Sequence, residues 1–321
     1  MLVPIIATLV GLGVLAWSAD KFVLGAAAVA RFLGMAPLLI GMLVIGFGTS
    51  APEMVVSAFA AADGDPELAL GNALGSNIAN IGLILGTAAI VLPIAVKRGI
   101  LRKELPLLIV VTAIAWLLMS DGELSRGDAG ALALLLAVLI TWQILSAKQH
   151  QGDGLAHDVE QQATSQNISK RAAWTWLVVG LVLLVVSSRV LVWGAVEIAE
   201  SLGWSDLVIG LTVVAIGTSA PELAAALAAA RKGENDLALG NVIGSNLFNT
   251  LGVVGIAGLI HPAVVTPDLL NRDFPFLMGL TLLVVIFGFR WKSDGRINRL
   301  EGSVLLALWL GYTVFLVATA G

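Results

Sequence analysis

The sequence predicts an all-α membrane protein: ten transmembrane helices, laid out as two inverted-topology five-helix repeats. Three observations lead there. Hydrophobic residues make up 58% of 321 residues, charged residues only 12%, and mean hydropathy is +0.94; an average soluble domain carries roughly 25% charged residues. Apolar runs that reach the ~20 residues needed to cross a bilayer recur along the chain. Two polar motifs also occur twice: GFGTSAPE at 46–53 with AIGTSAPE at 215–222, and GNALGSNIAN at 71–80 with GNVIGSNLFN at 240–249.

The expected spans lie near 2–30, 36–61, 67–92, 104–120, 125–146, 173–198, 205–230, 236–260, 272–291 and 300–319. The first starts apolar at Met1-Leu2-Val3 with no basic segment before it, and reads as a membrane helix rather than a cleaved signal peptide. Residues 147–171 are polar, hold Gln, His, Asp and Ser, and lack apolar periodicity. They mark a linker. The chain thus divides into a first repeat at 1–146, a linker at 147–172 and a second repeat at 173–321, together one domain.

Lysine and arginine set the orientation. With the N-terminus outside, the inner connections hold Lys21, Arg31, Lys97, Arg98, Arg102, Lys103, Lys148, Lys170, Arg171, Arg231, Lys232, Arg290, Lys292, Arg296 and Arg299. The outer connections hold only Arg126 and Arg272 among basic residues and are otherwise acidic, as at Asp63, Asp65, Glu67, Asp121, Glu123 and Asp268. Both termini are therefore expected outside and the linker in the cytoplasm, which gives the two halves opposite topology. A net charge of -4 without a dense basic patch offers nothing to nucleic acid. The absence of cysteine excludes disulfides and thiolate metal sites.

The two motif pairs share one offset of 169 positions, and an ungapped alignment of 36–80 with 205–249 has 22 identities in 45. Hydrophobic helices share Leu, Ala and Val by chance. They do not share Thr, Ser, Pro, Glu and three Asn in fixed register. Inverted repeats of this kind put a substrate site near the membrane midplane, where the repeats meet.

In the second span Thr49 and Glu53 are four apart and share a helix face, with Ser50 beside them. Pro52 has no N–H and clashes with the carbonyl of Gly48, so the helix must kink there and free carbonyl oxygens near Gly48 and Thr49. A carboxylate, two hydroxyls and freed carbonyls form an all-oxygen cluster of the kind hard cations such as calcium take. Thr218, Ser219, Pro221 and Glu222 repeat it in the seventh span. The third span adds a stripe of Asn72, Ser76 and Asn80 with Asn77 nearby, and the eighth repeats it as Asn241, Ser245, Asn249 and Asn246. Gly71 and Gly75, and Gly240 and Gly244, form G-x-x-x-G pairs, expected to pack the third span on the second and the eighth on the seventh.

Ordinary explanations cover many of these residues singly. Polar side chains in membrane helices commonly bond a neighbouring helix, and G-x-x-x-G commonly only packs. A glutamate near the midplane costs on the order of a few kcal/mol to insert and is functional by default. Two at equivalent positions of two repeats point to a site. Asp20 and Lys21, with Arg189 at the position equivalent to Asp20, read as interfacial anchors. His150, His157 and His261 read as solvated or interfacial.

GTSAPE followed by GNALGSNIAN, and again by GNVIGSNLFN, resembles the two alpha-repeats of the sodium/calcium exchanger family within the cation/calcium exchanger superfamily, in its short-linker prokaryotic form. The resemblance covers the whole chain and implies a sodium-for-calcium antiporter of the prokaryotic inner membrane. It implies four cation sites where the second, third, seventh and eighth helices meet. Glu53 and Glu222 would be the central carboxylates, and Thr49 and Thr218 would give carbonyls to calcium. Ser50, Ser76, Ser219 and Ser245, with the carbonyls of Gly46 and Ala215, would complete the sodium sites. Asn80 and Asn249 would flank the centre; some members carry aspartate at the latter position. The first and sixth helices would slide across the rest to alternate access. Calcium and sodium are then transported substrates, with no cofactor, no nucleic acid and no obligatory protein partner.

Proton-coupled or potassium-dependent exchange within the same superfamily is the alternative, and a cation channel the alternative of another class. Enzyme chemistry lacks its parts: no His or Cys lies near the glutamates, and neither G-x-S-x-G nor H-E-x-x-H occurs. The orientation is open to direct test, because the native chain has no cysteine. A cysteine introduced at Gln162 should react with an impermeant thiol reagent only from the cytoplasmic side, and one at Asp65 only from outside. Reversed labelling would overturn the topology.

Overall fold

The structure, a computed structural model, describes residues 2–34, 37–64, 66–149, 168–202, 219–289 and 295–319. Helices dominate. In order they are α1 (Leu2–Leu33), α2 (37–62), α3 (Pro66–Val91), α4 (100–118), α5 (Arg126–Gln149), α6 (Lys170–Ser201), α7 (Ala220–Arg231), α8 (Asn235–Ile260), α9 (Leu269–Gly288) and α10 (Arg299–Thr319). Four short strands lie in the connections: β1 (Ile94–Val96), β2 (Glu123–Leu124), β3 (Ala263–Val264) and β4 (Gly295–Ile297).

Among the described residues α1, α3, α6, α8, α9 and α10 are long and apolar enough to cross a membrane. α2 adds a seventh span if its two arms, Gly41–Ala51 and Val56–Ala62, are counted together. α4 and α5 fall on two further expected spans, and α4 has only 14 regular α-helical residues, Leu105–Leu118. The expected span at 205–230 lies partly outside the described residues, and α7 is its described remainder. The exterior is apolar, with Leu9 and Val10 of α1, Val182 and Val186 of α6, and Val314 and Phe315 of α10 exposed. Such patches suit lipid and not water. The polar side chains gather instead in the buried centre, where α3 and α8 run. The protein is a multi-pass membrane protein.

The repeat shows in backbone contacts that the sequence motifs do not include. α1 and α6 pack antiparallel along their lengths. A Cβ on Gly11 would meet the backbone of Leu191 at 2.9 Å, and one on Gly180 would meet that of Phe22 at 2.7 Å. A Cβ on Gly25 would likewise meet the Leu177 nitrogen at 2.4 Å, and one on Gly194 the Thr8 nitrogen at 3.0 Å. Each of these contacts maps onto its partner by the offset of 169 positions. The connections pair in the same crosswise manner, though not by that exact offset: β1 pairs with β4 and β2 with β3, both antiparallel, so each pair ties one half of the chain to the other.

Wide π turns also recur in register. One covers Ile100–Glu104 of α4 and another Leu269–Asp273 of α9. Each precedes a proline, Pro106 or Pro275, that cannot donate to the residue four back, Arg102 or Asn271, and widening the turn relieves the clash. Arg272, an exception to the basic asymmetry, is clamped by Asp268 at 2.8 Å and Asp273 at 2.6 Å.

One packing expectation is corrected. The contacts found for Gly240 and Gly244 among the described residues are with α2 rather than α7. A Cβ on Gly244 would strike the Met42 carbonyl oxygen at 2.4 Å and one on Gly41 would meet Gly240 at 3.0 Å. Their equivalents Gly71 and Gly75 are exposed, and no close contact from them to α2 is found among the described residues. Helical periodicity tells which face a glycine occupies but not which helix crosses it. Gly244→Ala should therefore cost about 1–3 kcal/mol through overpacking, read as a lower melting temperature in detergent. Gly13→Ala, where a Cβ meets nothing within 4 Å, should not lower it. Equal melting of the two variants would refute the close crossing of α2 and α8.

Candidate cation site

The centre of the bundle is built by α2, α3, α7 and α8. α2 bends by 48° between Ala51 and Val56, where Pro52 was expected to kink it. It also opens earlier, into a π turn over Gly41–Gly46. The same widening begins at Asn80 in α3, over Asn80–Leu85, and covers Asn249 in α8, over Phe248–Val253. π turns shift the helical register and concentrate at functional positions. Nothing in the residue spacing announced them.

The structure brings together nearly all the expected residues it describes. Thr49, Ser50 and Glu53 of α2, Ser76 and Asn80 of α3, Ser219 at the start of α7, Glu222 of α7, and Ser245 and Asn249 of α8 are all buried. Each glutamate is only 2% exposed. Gly46 sits where α2 touches α8, with room for no Cβ: one would meet the Ser245 nitrogen at 2.9 Å. Thr218 and Ala215 lie outside the described residues.

Hydrogen bonds cross between the repeats. The Thr49 hydroxyl lies 3.0 Å from the Ile45 carbonyl and 3.4 Å from that of Gly46, and donates to Asn241 Oδ1 at 3.2 Å in one arrangement of its proton. Ser245 also donates to the Gly46 carbonyl, at 3.4 Å. Asn241 Nδ2 donates to the Glu222 carbonyl oxygen at 3.1 Å, so one amide ties α2 to α7 through α8. Asn80 Nδ2 donates to Asn246 Oδ1 at 2.9 Å, and Asn77 Nδ2 to Thr250 Oγ1 at 2.8 Å. Thr250 is a residue that sequence reasoning passed over, because its repeat equivalent is the apolar Ile81. Its signal was a hydroxyl beside Asn249 where the repeat breaks.

These bonds occupy the amide nitrogens of Asn77, Asn80 and Asn241, while several buried oxygens remain without partners. Among the described residues seven buried side-chain polar atoms lack a partner, and all are oxygens. Six belong to this cluster: Ser50 Oγ, Glu53 Oε2, Asn77 Oδ1, Asn80 Oδ1, Glu222 Oε2 and Asn249 Oδ1. An unsatisfied buried acceptor costs roughly 1–3 kcal/mol, and buried oxygens of this kind have the chemistry that hard cations take. No group of three or more His, Cys, Asp or Glu side chains occurs among the described residues, so the charge of the cluster comes from its two glutamates. The two carboxylates lie within electrostatic reach of each other, with the Thr49 and Ser50 hydroxyls close to Glu222. Arg189 of α6 acts on Glu53, which its expected role as a membrane-interface anchor does not include.

Comparison with known proteins agrees with this chemistry. A family profile described as sodium/calcium exchanger protein matches residues 3–145 and 172–318, two blocks that flank the expected linker. CaxA of Alkalimonas amylolytica, named provisionally as an antiporter, is 44% identical over 323 residues, covering 99% of this chain and 100% of CaxA. The inner membrane protein YrbG of Escherichia coli is 39% identical, covering 98% of each chain. A solved structure of the sodium-calcium exchanger NCX_Mj, soaked with zero Na+ and Ca2+, matches with a TM-score of 0.83 at 32% identity, over 98% of this chain and 99% of that one.

Asn241 offers a test of the geometry that needs no relative. Its repeat equivalent Asn72 donates, among the described residues, to Ser57 Oγ at 3.0 Å in a half-buried position. If the cluster binds a divalent cation, Asn241→Leu should weaken that binding, measured by calorimetric titration of purified protein with calcium, by about tenfold or more, as loss of an outer-shell partner does. Asn72→Leu should change it far less. Equal losses in both would remove Asn241 from the support of the site.

Proposed function

This chain belongs to the sodium/calcium exchanger family, as an antiporter and not an enzyme, and from that premise we propose that it exchanges sodium for calcium at the cluster between α2, α3, α7 and α8. The observation that carries the proposal is a set of six partnerless buried oxygens, one from each of two glutamates and four from Ser50, Asn77, Asn80 and Asn249. Glu53 and Glu222 are assigned as carboxylates shared by calcium and sodium. Thr49 and Thr218 supply backbone carbonyls to calcium. Ser50, Ser76, Ser219 and Ser245, with the carbonyls of Gly46 and Ala215, complete sodium positions, and Asn80 and Asn249 flank the centre. The name of NCX_Mj and its fold likeness support the choice of ions.

Charge arithmetic supplies the coupling. Two ionised glutamates give the site -2, which one calcium or two sodium ions neutralise and three sodium ions exceed by one. A buried uncompensated charge is costly, so the empty ionised site resists closing off from water. Carrier turnover without cargo is thereby disfavoured, and exchange is favoured over leak.

The ten-span inverted arrangement, with both termini outside and residues 147–172 cytoplasmic in a prokaryotic inner membrane, belongs to the same proposal. It is supported by β1 with β4 and β2 with β3, since each pair joins two connections assigned to one side. The position of YrbG as an inner membrane protein supports the location.

Glu53→Gln and Glu222→Gln keep shape and halve the fixed charge. Each should lower calcium exchange in proteoliposomes by about a hundredfold or more, while the protein still inserts and purifies. Near-normal exchange by both would sink the assignment. In the native protein lower pH should weaken calcium binding, because protonating either carboxylate removes a ligand and a charge. Calcium efflux should require external sodium and respond to a potassium–valinomycin potential. Efflux that persists without sodium, follows a pH gradient and ignores voltage would replace sodium coupling by proton coupling.

A further inference from the structure

Among the described residues one ion pair joins the α1/α6 unit to the rest of the bundle: Asp20 Oδ1 of α1 lies 3.6 Å from Lys232 Nζ, just past the end of α7. The neighbouring Lys21 does not compete for Asp20. It turns back to α1 and α6, 6.0 Å from the Trp17 ring centre and 5.2 Å from that of Trp176. Lys232 is the residue that caps α7, its N–H returning to the carbonyls of Ala228, Ala229 and Ala230, and Gly233 follows with φ of +74°.

The repeat offset carries each of these residues to a charged counterpart. Asp63 caps α2 as Lys232 caps α7, with its N–H returned to Phe59 and Ala61, and Gly64 follows with φ of +88°. Arg189 holds the place in α6 that Asp20 holds in α1, in a helix pair whose glycine contacts obey the same offset. Asp20 with Lys232 therefore maps onto Arg189 with Asp63, with both signs reversed and the attraction kept. Asp63 lies before α3 and β1 lies after it, so a helix of 26 residues, roughly 39 Å long, separates Asp63 from the β1 end. Lys232 belongs to that β1 end, because Lys97, next to β1, pairs with Asp236 at 2.6 Å.

The two pairs are in opposite states. Among the described residues no ion pair within 4.0 Å involves Arg189 or Asp63. Inverted repeats produce their second transport state by exchanging conformations. A contact made by one repeat is then due to its equivalent in the other state.

We propose that Asp20–Lys232 and Arg189–Asp63 are alternating ionic latches at opposite ends of the bundle, the first closed and the second open in the conformation described here. The inference rests on the reading of this chain as an alternating-access exchanger. An exposed pair of this kind is weak, and weakness suits a latch that the carrier must release in every cycle. A shift of about two- to fivefold in the balance of states is what such a pair supplies.

The test uses the full chain, which has no cysteine, with a protease site placed in the linker. Cysteine pairs replace either Asp20 and Lys232 or Asp63 and Arg189, and a short reducible bis-thiosulfonate reagent is applied in proteoliposomes. Each pair connects the two halves, so a cross-link holds the cleaved fragments together on a gel. Both pairs should cross-link, and in the four-cysteine chain one cross-link should exclude the other. Asp20→Asn should speed cross-linking of the Asp63/Arg189 cysteines about two- to fivefold. Asp20→Lys with Lys232→Asp, which restores the attraction, should return the native rate. Failure of the Asp63/Arg189 cysteines to cross-link, simultaneous cross-linking of both pairs in one chain, or no effect of Asp20→Asn would each overturn the latches. The fragment assay scores them whichever cation is carried; loss of sodium-for-calcium exchange in the native chain would instead sink the functional reading.

Discussion

Two carboxylates buried in a membrane bundle set the conditions the rest of this structure meets. Glu53 and Glu222 are 2% exposed and within electrostatic reach of each other. A carboxylate at membrane depth is costly unless it is paired, and among the described residues no lysine or arginine forms an ion pair with either. The surrounding residues supply oxygens instead of cationic side chains. The outcome is a bundle turned inside out relative to a soluble protein, with Ser, Thr, Asn and Glu in the centre and Leu, Val and Phe on the outside. The polar centre in turn requires close helix crossings, which is why Gly46 and Gly244 lie at backbone contact between α2 and α8.

How much of this was legible depends on what periodicity can carry. The kink at Pro52, the shared face of Thr49 and Glu53, and the stripe along α3 follow from residue type and spacing, and the described residues bring them together. Partners across helices do not follow. Gly240 and Gly244 look alike whether they meet α7 or α2, and only the crossing of the two repeats decides for α2. The π turns at Asn80 and Asn249 were invisible for a related reason: they insert a backbone register shift without a residue that demands it. Asp20 and Lys21 read as anchors because two adjacent charges in an apolar helix have no visible partner in sequence. In space they divide, one to Lys232 and one to a pair of tryptophans.

Identical motifs in this chain do not have identical surroundings. Asn241 is buried and bridges two helices, while Asn72 is half-buried and bonds Ser57, a residue whose repeat equivalent is Ala226. Asn77 donates to Thr250, while the repeat equivalent of Thr250 is Ile81 and gives Asn246 no such hydroxyl. Gly240 and Gly244 are buried against α2, and their repeat equivalents Gly71 and Gly75 are exposed. Local asymmetry of this kind on a symmetric frame is what the proposed latches would draw on.

Neutral asparagine at both 80 and 249 sharpens what the two glutamates must do. Each of these amides has an oxygen with no partner, and Asn80 spends its nitrogen on Asn246. They can therefore coordinate a cation without adding charge, and the fixed charge of the described cluster stays at that of Glu53 and Glu222. With an aspartate in place of Asn249 a third cation could be neutralised outright. Without one, a third monovalent ion leaves a net positive site, and its charge has to be borne by dipoles such as the Gly46 carbonyl, on which the Thr49 and Ser245 hydroxyls converge. Neutral oxygens hold such an ion more weakly than a carboxylate does, because a formal charge adds Coulomb energy that a dipole only partly replaces. On the proposed site assignment, the stoichiometry of exchange would be governed by how well amide and carbonyl oxygens stand in for a further carboxylate.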